Sequence, residues 1–489
     1  MIANSEAVTY HYLALSSFKQ GFSGINGELN TGPGAYSRRT RFFAMSTPIK
    51  TASDGSELVG GLPRSGLTSR FAVANLGALA FAACGIILAL SWIDELAGLV
   101  SLPGAIILVA FIAIVPGYLN VFLLLSLLSY RQPPLMLDGT FPAVSILIAA
   151  RNEEKNLPET FRGLAGQDYP AEIEIIVIDD GSTDGTLNYL RSLRKPCLEI
   201  ISIPHQGKAA ALNAGLEAVS HRVLVTIDAD TFLHPQALRR IVARLNSTPN
   251  CAAVAGSVLA KNSRESRITR LQEWDYFLAI GAVKRQQSLY RGTLVAQGSF
   301  SAFRTGIVRS ARGWPNRIGE DIVLTWALLR EGHRVVHEPT AIAFTKVPAN
   351  FRGFYRQRQR WARGMIEALR SHMSIIWKQR GFAGFFVAMD LLFPALDLTF
   401  TVAFLPGVIL ACFGYYHIAG LMTLLVLPLT ALIVLVMLRY QRSVFDLMGL
   451  KIRRNILGFI AYFLFYQFIV SPICVIGYGR ELLNLEKKW

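Results

Sequence analysis

Charge is scarce in this chain. Only 17% of its 489 residues are Asp, Glu, Lys or Arg, against 52% hydrophobic residues, and the mean hydropathy is +0.37. An ordinary soluble protein of this length is less apolar, so part of the chain lies in lipid. Cysteine is scarce too. Cys84, Cys197, Cys251, Cys412 and Cys474 have no paired spacing, which excludes a disulfide framework or a cysteine-based metal site. Acidic residues are outnumbered 33 to 49, and the formal charge of +16 would suit nucleic acid. Its distribution does not: Lys and Arg crowd beside apolar runs and around 352–363, no recognition motif appears, and no nucleic-acid partner is expected.

Between Arg70 and Arg131 the only charged residues are Asp94 and Glu95, leaving apolar runs at 72–91 and 103–129. Each exceeds the roughly 20 residues a membrane helix needs or comes close to it. A second block, 382–438, holds only Asp390 and Asp397, and a last run covers 456–478. Two transmembrane helices are therefore expected over 71–130 and three or more transmembrane or interfacial helices over 381–479. Asp390 and Asp397 would be costly facing lipid, so they line a polar path or sit on an interfacial helix.

Arg38, Arg39, Arg41, Lys50, Arg64 and Arg70 precede the first run, while the Asp94–Glu95 hairpin carries no Lys or Arg. Positive residues mark the cytoplasmic ends of spans, which places the middle domain in the cytoplasm of a multi-pass inner (plasma) membrane protein. The loop with Arg439, Arg442, Lys451, Arg453 and Arg454 also reads as inside. One more crossing would put the basic tail 480–489 outside, against the rule, unless an interfacial helix changes the count. Residues 1–70, rich in Gly, Ser and Thr without periodicity, read as a disordered cytoplasmic segment. They show no basic region followed by an apolar core, so no cleavable signal peptide is expected, and Met45 is an alternative start.

From 143 the chain alternates strand-like and helix-like stretches: 143–150, 153–164, 173–178, 186–193, 198–203, 208–219 and 223–227. This pattern predicts an α/β domain with a mostly parallel sheet, at 140–380, inserted between α-helical transmembrane segments. Such sheets bind ligands beyond the carboxyl ends of their strands. Two acidic turns fall there, Asp179-Asp180 and Asp228-Ala229-Asp230. Asp and Asn also favour turns and helix caps, and for Thr183 and Asp184 that reading is preferred. Asp228 and Asp230, two residues apart after an apolar strand, instead aim carboxylates at one hard cation such as Mg²⁺ or Mn²⁺.

In chain order, VSILIAARNEE, VIDDGSTDGT, HQGKAAALNAG, TIDADT, GED and QRQRW resemble glycosyltransferase family 2. Within it they are similar to the membrane-embedded synthases of cellulose, chitin, hyaluronan and poly-β-1,6-N-acetylglucosamine. The last group matches best in layout, with two spans before the catalytic domain and several after. The resemblance covers 140–380 by motif and implies a GT-A-type fold.

Under the resemblance Asp179 and Asp180 hold the uracil or ribose of a UDP-sugar, Asn152 and Glu153 line the same pocket, and Lys208 meets the diphosphate. Asp230, then Asp228, ligates the metal. Asp321, with Glu320 beside it, is the general base, although the pair also starts a helix. Gln357, Arg360 and Trp361 form QxxRW on a helix next to the membrane, Arg360 for the departing diphosphate and Trp361 for the acceptor sugar. Arg356, Arg358 and Arg363 read as a juxtamembrane anchor. Gln297-Gly298-Ser299-Phe300 resembles a loop shaping the acceptor pocket.

The implied activity is an inverting, metal-dependent, processive β-glycosyltransferase. It would polymerise a UDP-sugar, UDP-N-acetylglucosamine first, into an exported polysaccharide. Its partners are the donor, the growing chain, membrane lipid and a small membrane accessory subunit. Two alternatives share the core: single transfer to a lipid-linked acceptor, and a cellulose-synthase-like glucosyltransferase. RWARGM at 360–365 is similar to cellulose synthases, whereas 276–285 resembles the poly-N-acetylglucosamine branch, and a gating loop of the FxVTxKG type is missing. A non-catalytic scaffold is disfavoured by the intact carboxylates at 228, 230 and 321.

Overall fold

The computed structural model describes residues 64–378, 381–419, 423–424 and 426–485. The segment expected to be disordered lies outside the described residues up to 63. Residues 64–70 differ from that expectation and are helical, because Leu67 is buried and Arg70 Nη1 donates to the Ser129 carbonyl at 3.3 Å. They open α1 (Arg64–Ala97), which takes Asp94 and Glu95 into its last turn. Helix α2 (Leu102–Val109) continues through a π-helical turn, Ala110–Ile114, into α3 (Val115–Ser129). Pro116, which lacks the N–H of a regular ladder, follows that widened turn.

The middle domain runs β1 (Val144–Ala150), α4 (Leu157–Ala165), β2 (Ile173–Asp180), α5 (Thr186–Ser192), β3 (Leu198–Ile203), α6 (Lys208–Ala218), β4 (Val223–Ile227), β5 (Phe232–Leu233), α7 (Ala237–Ser247) and β6 (Cys251–Ala260). It continues with α8 (Arg267–Trp274), a π-helical turn at Asp275–Ile280, α9 (Gly281–Leu289), β7 (Phe300–Arg304), α10 (Thr305–Ser310), α11 (Glu320–Arg330), β8 (Arg334–Thr345) and α12 (Phe351–His372). The eight strands form one sheet in the order β3-β2-β1-β4-β7-β6-β8-β5. Strands β3, β2, β1 and β4 are parallel, whereas β7 runs antiparallel to both β4 and β6. The sheet is therefore mostly parallel, as expected, with a reversal beyond the last strand the sequence pattern delimits.

Strands covered on both faces read as continuous apolar runs. Ile146 and Ile148 of β1 pack toward Phe161 of α4 and Leu238 and Ile241 of α7. Leu147 points the other way, into a core with Leu212 of α6, Leu324 of α11 and Ile366 of α12. The parallel register brings Ala150 beside Asp179, and the antiparallel pairing sets Phe300 opposite Ile227. The loops after β1, β2, β3 and β4 and the loop before β7 thus converge on one sheet edge.

After α13 (Ile375–Lys378) come α14 (Ala383–Asp390), α15 (Phe393–Thr399), a π-helical turn at Phe400–Phe404, α16 (Leu405–Ala411), α17 (Val426–Leu447) and α18 (Ile456–Leu482). Five helical stretches are long and apolar enough to cross a membrane: Gly66–Ala97, Leu102–Ser129, Ala383–Ala411, Val426–Leu447 and Ile456–Leu482. Asp397 is buried and accepts from Ser471 Oγ at 2.5 Å, Tyr478 Oη at 2.8 Å and Gln467 Nε2 at 3.3 Å. Its charge is thus turned into a polar cluster with α18, away from lipid.

Helix α18 touches the middle domain at both ends. At its start Asn455 Nδ2 donates to the Arg270 carbonyl at 2.8 Å, and Trp274 Nε1 donates to the Asn455 carbonyl at 3.0 Å. At its end Arg363 Nε meets Glu481 Oε2 at 2.9 Å, and Arg370 donates to the carbonyls of Glu481 and Leu482. Between them Gly477 lies so close to α12 that an added Cβ would meet Ala362 at 2.8 Å. The expected basic tail is accordingly helical to Leu482, and its residues 486–489 lie outside the described residues.

A buried ion pair fastens the membrane helices to the domain. Arg244 Nε on α7 meets Glu338 Oε2 on β8 at 2.6 Å, Arg244 Nη2 donates to the Pro133 carbonyl, and Gln132 Nε2 donates to Glu338 Oε1. The linker from α3 to β1 is thereby pinned. Glu338→Ala leaves a buried guanidinium uncompensated and is expected to cost about 3–5 kcal/mol. Thermal unfolding in detergent checks this, and a pair-wise change to Arg244→Met and Glu338→Leu should recover most of the loss.

Candidate active site

The loop after β1 is laced to the loop after β2. Asn152, with φ 57°, accepts from Thr183 N at 2.8 Å through Oδ1, and Glu153 N donates to Thr186 Oγ1 at 2.8 Å. Asp184 accepts from Thr186 N at 3.0 Å just before α5, whose cap residue is Gly185 and carries no side-chain cap. The exposed Asn152 and half-buried Glu153 thereby stand at the rim of the sheet edge.

Asp179 and Asp180 end β2, both buried, and they differ in what they have left to offer. Asp180 accepts from Gln206 N at 2.7 Å, Gly207 N at 3.0 Å and His205 Nδ1 at 2.8 Å. Its acceptor capacity goes into folding the 205–207 turn, where Gly207 has φ 96° and hands the chain to Lys208 at the start of α6. Asp179 Oδ1 makes no hydrogen bond among the described residues. Of the pair, Asp179 therefore keeps an oxygen for a ligand N–H or O–H, and Asp180 shapes the loop that carries Lys208.

Lys208 sits at the centre. Its side chain, 28% exposed, forms an ion pair with Asp228 Oδ1 and lies 3.8 Å from Glu320 Oε1. Burial opposes its charge, yet Asp228 and Glu320 outweigh burial and hold the ammonium above the ordinary lysine range. Asp230 accepts from Thr345 Oγ1 at 3.0 Å at the end of β8. Burial, then the facing charges of Asp228 and Glu153, push the Asp230 carboxyl up to about 7. Burial and the adjacent Asp321 push Glu320 up to about 7 as well, against the pull of Lys208 and Arg360.

The loop before β7 joins the acidic turn to Asp321. Gly298 N donates to Asp321 Oδ2 at 3.4 Å, and Asp228 N donates to the Ser299 carbonyl at 3.4 Å. A Cβ at Gly298 would meet Lys208 Nζ at 2.7 Å, so the backbone passes directly over the lysine. Lys284 on α9 holds this loop from behind, donating to Gln297 Oε1 and to the Val295 carbonyl. Burial brings the Lys284 amine down to about 7, with Asp321 pulling the other way.

Glu320 and Asp321 occupy the first turn of α11, where helix N–H groups favour carboxylates. Helix α12 crosses that start at van der Waals closeness. A Cβ on Gly319 would meet Gly364 Cα at 2.6 Å, and Glu367 Oε2 accepts from Gly319 N at 3.0 Å. Gln357, Arg360 and Trp361 all lie on α12, Arg360 exposed and Trp361 39% exposed. Arg356 is exposed, as an anchor would be, but Arg358 and Arg363 are buried against Asp275 and Glu481. The anchor reading is corrected for those two, because each has a carboxylate partner inside the protein.

No group of three or more His, Cys, Asp or Glu side chains able to hold a metal ion occurs among the described residues. Two carboxylates with hard oxygens, one of them pushed toward protonation by uncompensated neighbours, still fit a divalent cation whose other ligands come from a diphosphate.

The glycosyl transferase family 2 model matches residues 145–311, the stretch from β1 to just past α10. This chain carries a family 2 glycosyltransferase domain. Two similar curated proteins are poly-β-1,6-N-acetyl-D-glucosamine synthases. That of Staphylococcus epidermidis is 31% identical over 229 residues, 46% of this chain and 55% of that one. That of Staphylococcus aureus strain COL is 29% identical over 242 residues, 49% and 58%. The match thus spans little more than half the length of these relatives. A mannosyltransferase from Pyrobaculum calidifontis, solved with GDP-Man and Mn²⁺, has a similar fold, with a TM-score of 0.56 at 20% identity over 78% of this chain and 98% of that one.

Sequence reasoning passed over Thr345, Asp275 and Glu367, and took Lys284 only as part of the stretch 276–285. Glu367 had a usable signal, being a lone carboxylate in a basic segment, whereas Asp275 shares its segment with Glu273. Thr345 had none.

A carboxyl raised from near 4.5 to about 7 in the folded state contributes stability below its unfolded value and loses it as pH rises through 7. Glu320→Gln is expected to reduce the fall in melting temperature between those pH values, the raised carboxyls of Asp230 and Glu153 still contributing in the same direction. Melting curves across that window check it.

Proposed function

We propose that the protein is an inverting, processive β-glycosyltransferase that extends a polysaccharide from a UDP-sugar, UDP-N-acetylglucosamine in the first instance. The observation that carries this reading is Lys208, ion-paired to Asp228 of the DxD turn and 3.8 Å from Glu320 beside the candidate base. It puts a donor-side cation and the acceptor-side carboxylates within one side chain's reach. The curated relatives supply the sugar by analogy.

In this reading Asp179 and the Asn152–Glu153 turn receive the nucleoside, and Lys208 lies against the diphosphate. Asp230 and Asp228 would hold a divalent cation, Mg²⁺ or Mn²⁺, which when bound neutralises diphosphate charge. The acceptor hydroxyl oxygen bonds to the anomeric carbon as the bond from that carbon to the β-phosphate oxygen breaks. UDP leaves with the electron pair, and the Asp321 carboxylate takes the hydroxyl proton. Arg360 offsets charge on the departing diphosphate, and Trp361 offers a ring to the acceptor sugar.

Asp321→Asn should lower transfer about 10²- to 10⁴-fold while leaving UDP affinity nearly unchanged. UDP release by protein in nanodiscs with Mn²⁺ or Mg²⁺ is to be scanned over UDP-N-acetylglucosamine, UDP-glucose, UDP-glucuronate and UDP-galactose, with products sized on a gel. Long product from the first donor supports the reading. Release that needs an added lipid acceptor replaces it with single transfer, and long product from UDP-glucose alone moves it to a glucan synthase.

The same reading includes a membrane arrangement. Four stretches cross the bilayer, α1, α2–α3, α14–α16 and α17, while α18, tied at both ends to cytoplasmic helices, lies along the inner face. The even count keeps the C-terminal segment with the catalytic domain and satisfies the positive-inside rule. A Leu485→Cys variant without other reactive thiols should react with a membrane-impermeant maleimide only from the cytoplasmic side. Labelling of intact cells from outside would overturn the four-span arrangement.

A further inference from the structure

Arg358 stands three residues before Trp361 on α12, so the two share a helix face. Its guanidinium carbon lies 4.1 Å from the Trp361 ring centroid and 5.0 Å from that of Phe354. Tyr276 and Tyr466 complete the surround at 6.0 and 5.8 Å. Arg358 Nη1 meets Asp275 Oδ2 at 2.9 Å, with the two side chains only 4% and 6% exposed. Among the described residues, Arg358 Nε and Nη2 make no hydrogen bond.

This pattern is not that of an ion pair built for stability. Buried donors are normally satisfied, and leaving two unpaired beside a buried charge is costly. What the cluster does achieve is a fixed plane. Asp275 opens the π-helical turn Asp275–Ile280, which also presents Tyr276 to Trp361 at a centroid distance of 6.2 Å. Tyr466 comes from α18, so three separate elements close on one guanidinium. Within this group Trp361 alone is substantially exposed, at 39%.

We propose that Arg358 and Asp275 are positioning residues for the acceptor side of the site: the guanidinium, fixed by the carboxylate, stacks on the inner face of Trp361 and orients that ring toward the incoming sugar. This rests on the reading of Trp361 as the acceptor platform. Neither residue touches the donor, so donor binding is independent of the pair.

The test uses the full chain in nanodiscs, with UDP-N-acetylglucosamine as donor and a β-1,6-linked N-acetylglucosamine oligosaccharide as acceptor. Arg358→Lys keeps the charge beside Asp275 but loses the planar stack, and it should raise the acceptor KM about tenfold. The donor KM should stay within about twofold of the parent value. Paired replacement by Arg358→Met and Asp275→Leu removes both charges together, so it should keep the melting temperature yet show the same rise in acceptor KM. A parent-like acceptor KM in Arg358→Lys, or its recovery together with stability in the paired variant, would reduce the pair to a structural one. Trp361→Ala separates the two levels. If it leaves the acceptor KM unchanged, the platform reading fails and this proposal with it; if it raises the KM while Arg358→Lys does not, only the positioning role fails.

Discussion

Two glycines in backbone contact hold the site together. Gly319 and Gly364 let the start of α11 and the middle of α12 approach so closely that neither has room for a side chain, and Glu367 seals the crossing through the Gly319 N–H. The relative placement of the candidate residues on α11 and α12 follows from that crossing. It sets Asp321, on α11, and Arg360 and Trp361, on α12, at the same junction. Larger residues at either glycine would spread the helices, and overpacking of this kind is relieved only by backbone shifts.

Around this crossing the electrostatics are arranged to be incomplete. Asp228, Glu320 and Asp321 face Lys208, with Asp230 and Glu153 beside Asp228 and with Arg360, Lys284 and Lys346 at the edges, and two of the carboxyls are pushed up to about 7. Such an excess of negative charge is costly in the free protein. A divalent cation bound there would offset it, which is the physical sense of perturbed carboxyls gathering where a charged ligand binds. Asp180 takes no part in that excess, because three donors from the 205–207 turn satisfy it locally.

The sequence made the first half of the sheet legible because its strands are parallel and buried on both faces: 198–203 and 223–227 coincide with β3 and β4, and β1 and β2 differ from expectation by two residues at most. The acidic turns were legible for the same reason, since they interrupt apolar runs. Beyond 227 the strands belong to a reversed and longer-range arrangement, and periodicity carries no information about which of them pair. The site's supporting contacts were illegible on similar grounds. Thr345 reaches Asp230, and Lys284 reaches Gln297, through tertiary approaches that no local pattern marks. The arginines of QRQRW were legible as a motif but not as individuals. Arg358 and Arg360, two positions apart, face a buried carboxylate and the surface respectively.

The fastening of α18 to both ends of the catalytic face bears on how the molecule comes into being. Residues 456–485 leave the ribosome after every other described part of the protein, yet they supply Tyr466 beside Arg358 and Glu481 beside Arg363. A chain interrupted before this point has the whole sheet, Asp228, Asp230 and Asp321, but an α12 with two guanidiniums short of their native surroundings. Synthesis of α18 and completion of the surroundings of Arg358 and Arg363 are therefore the same event.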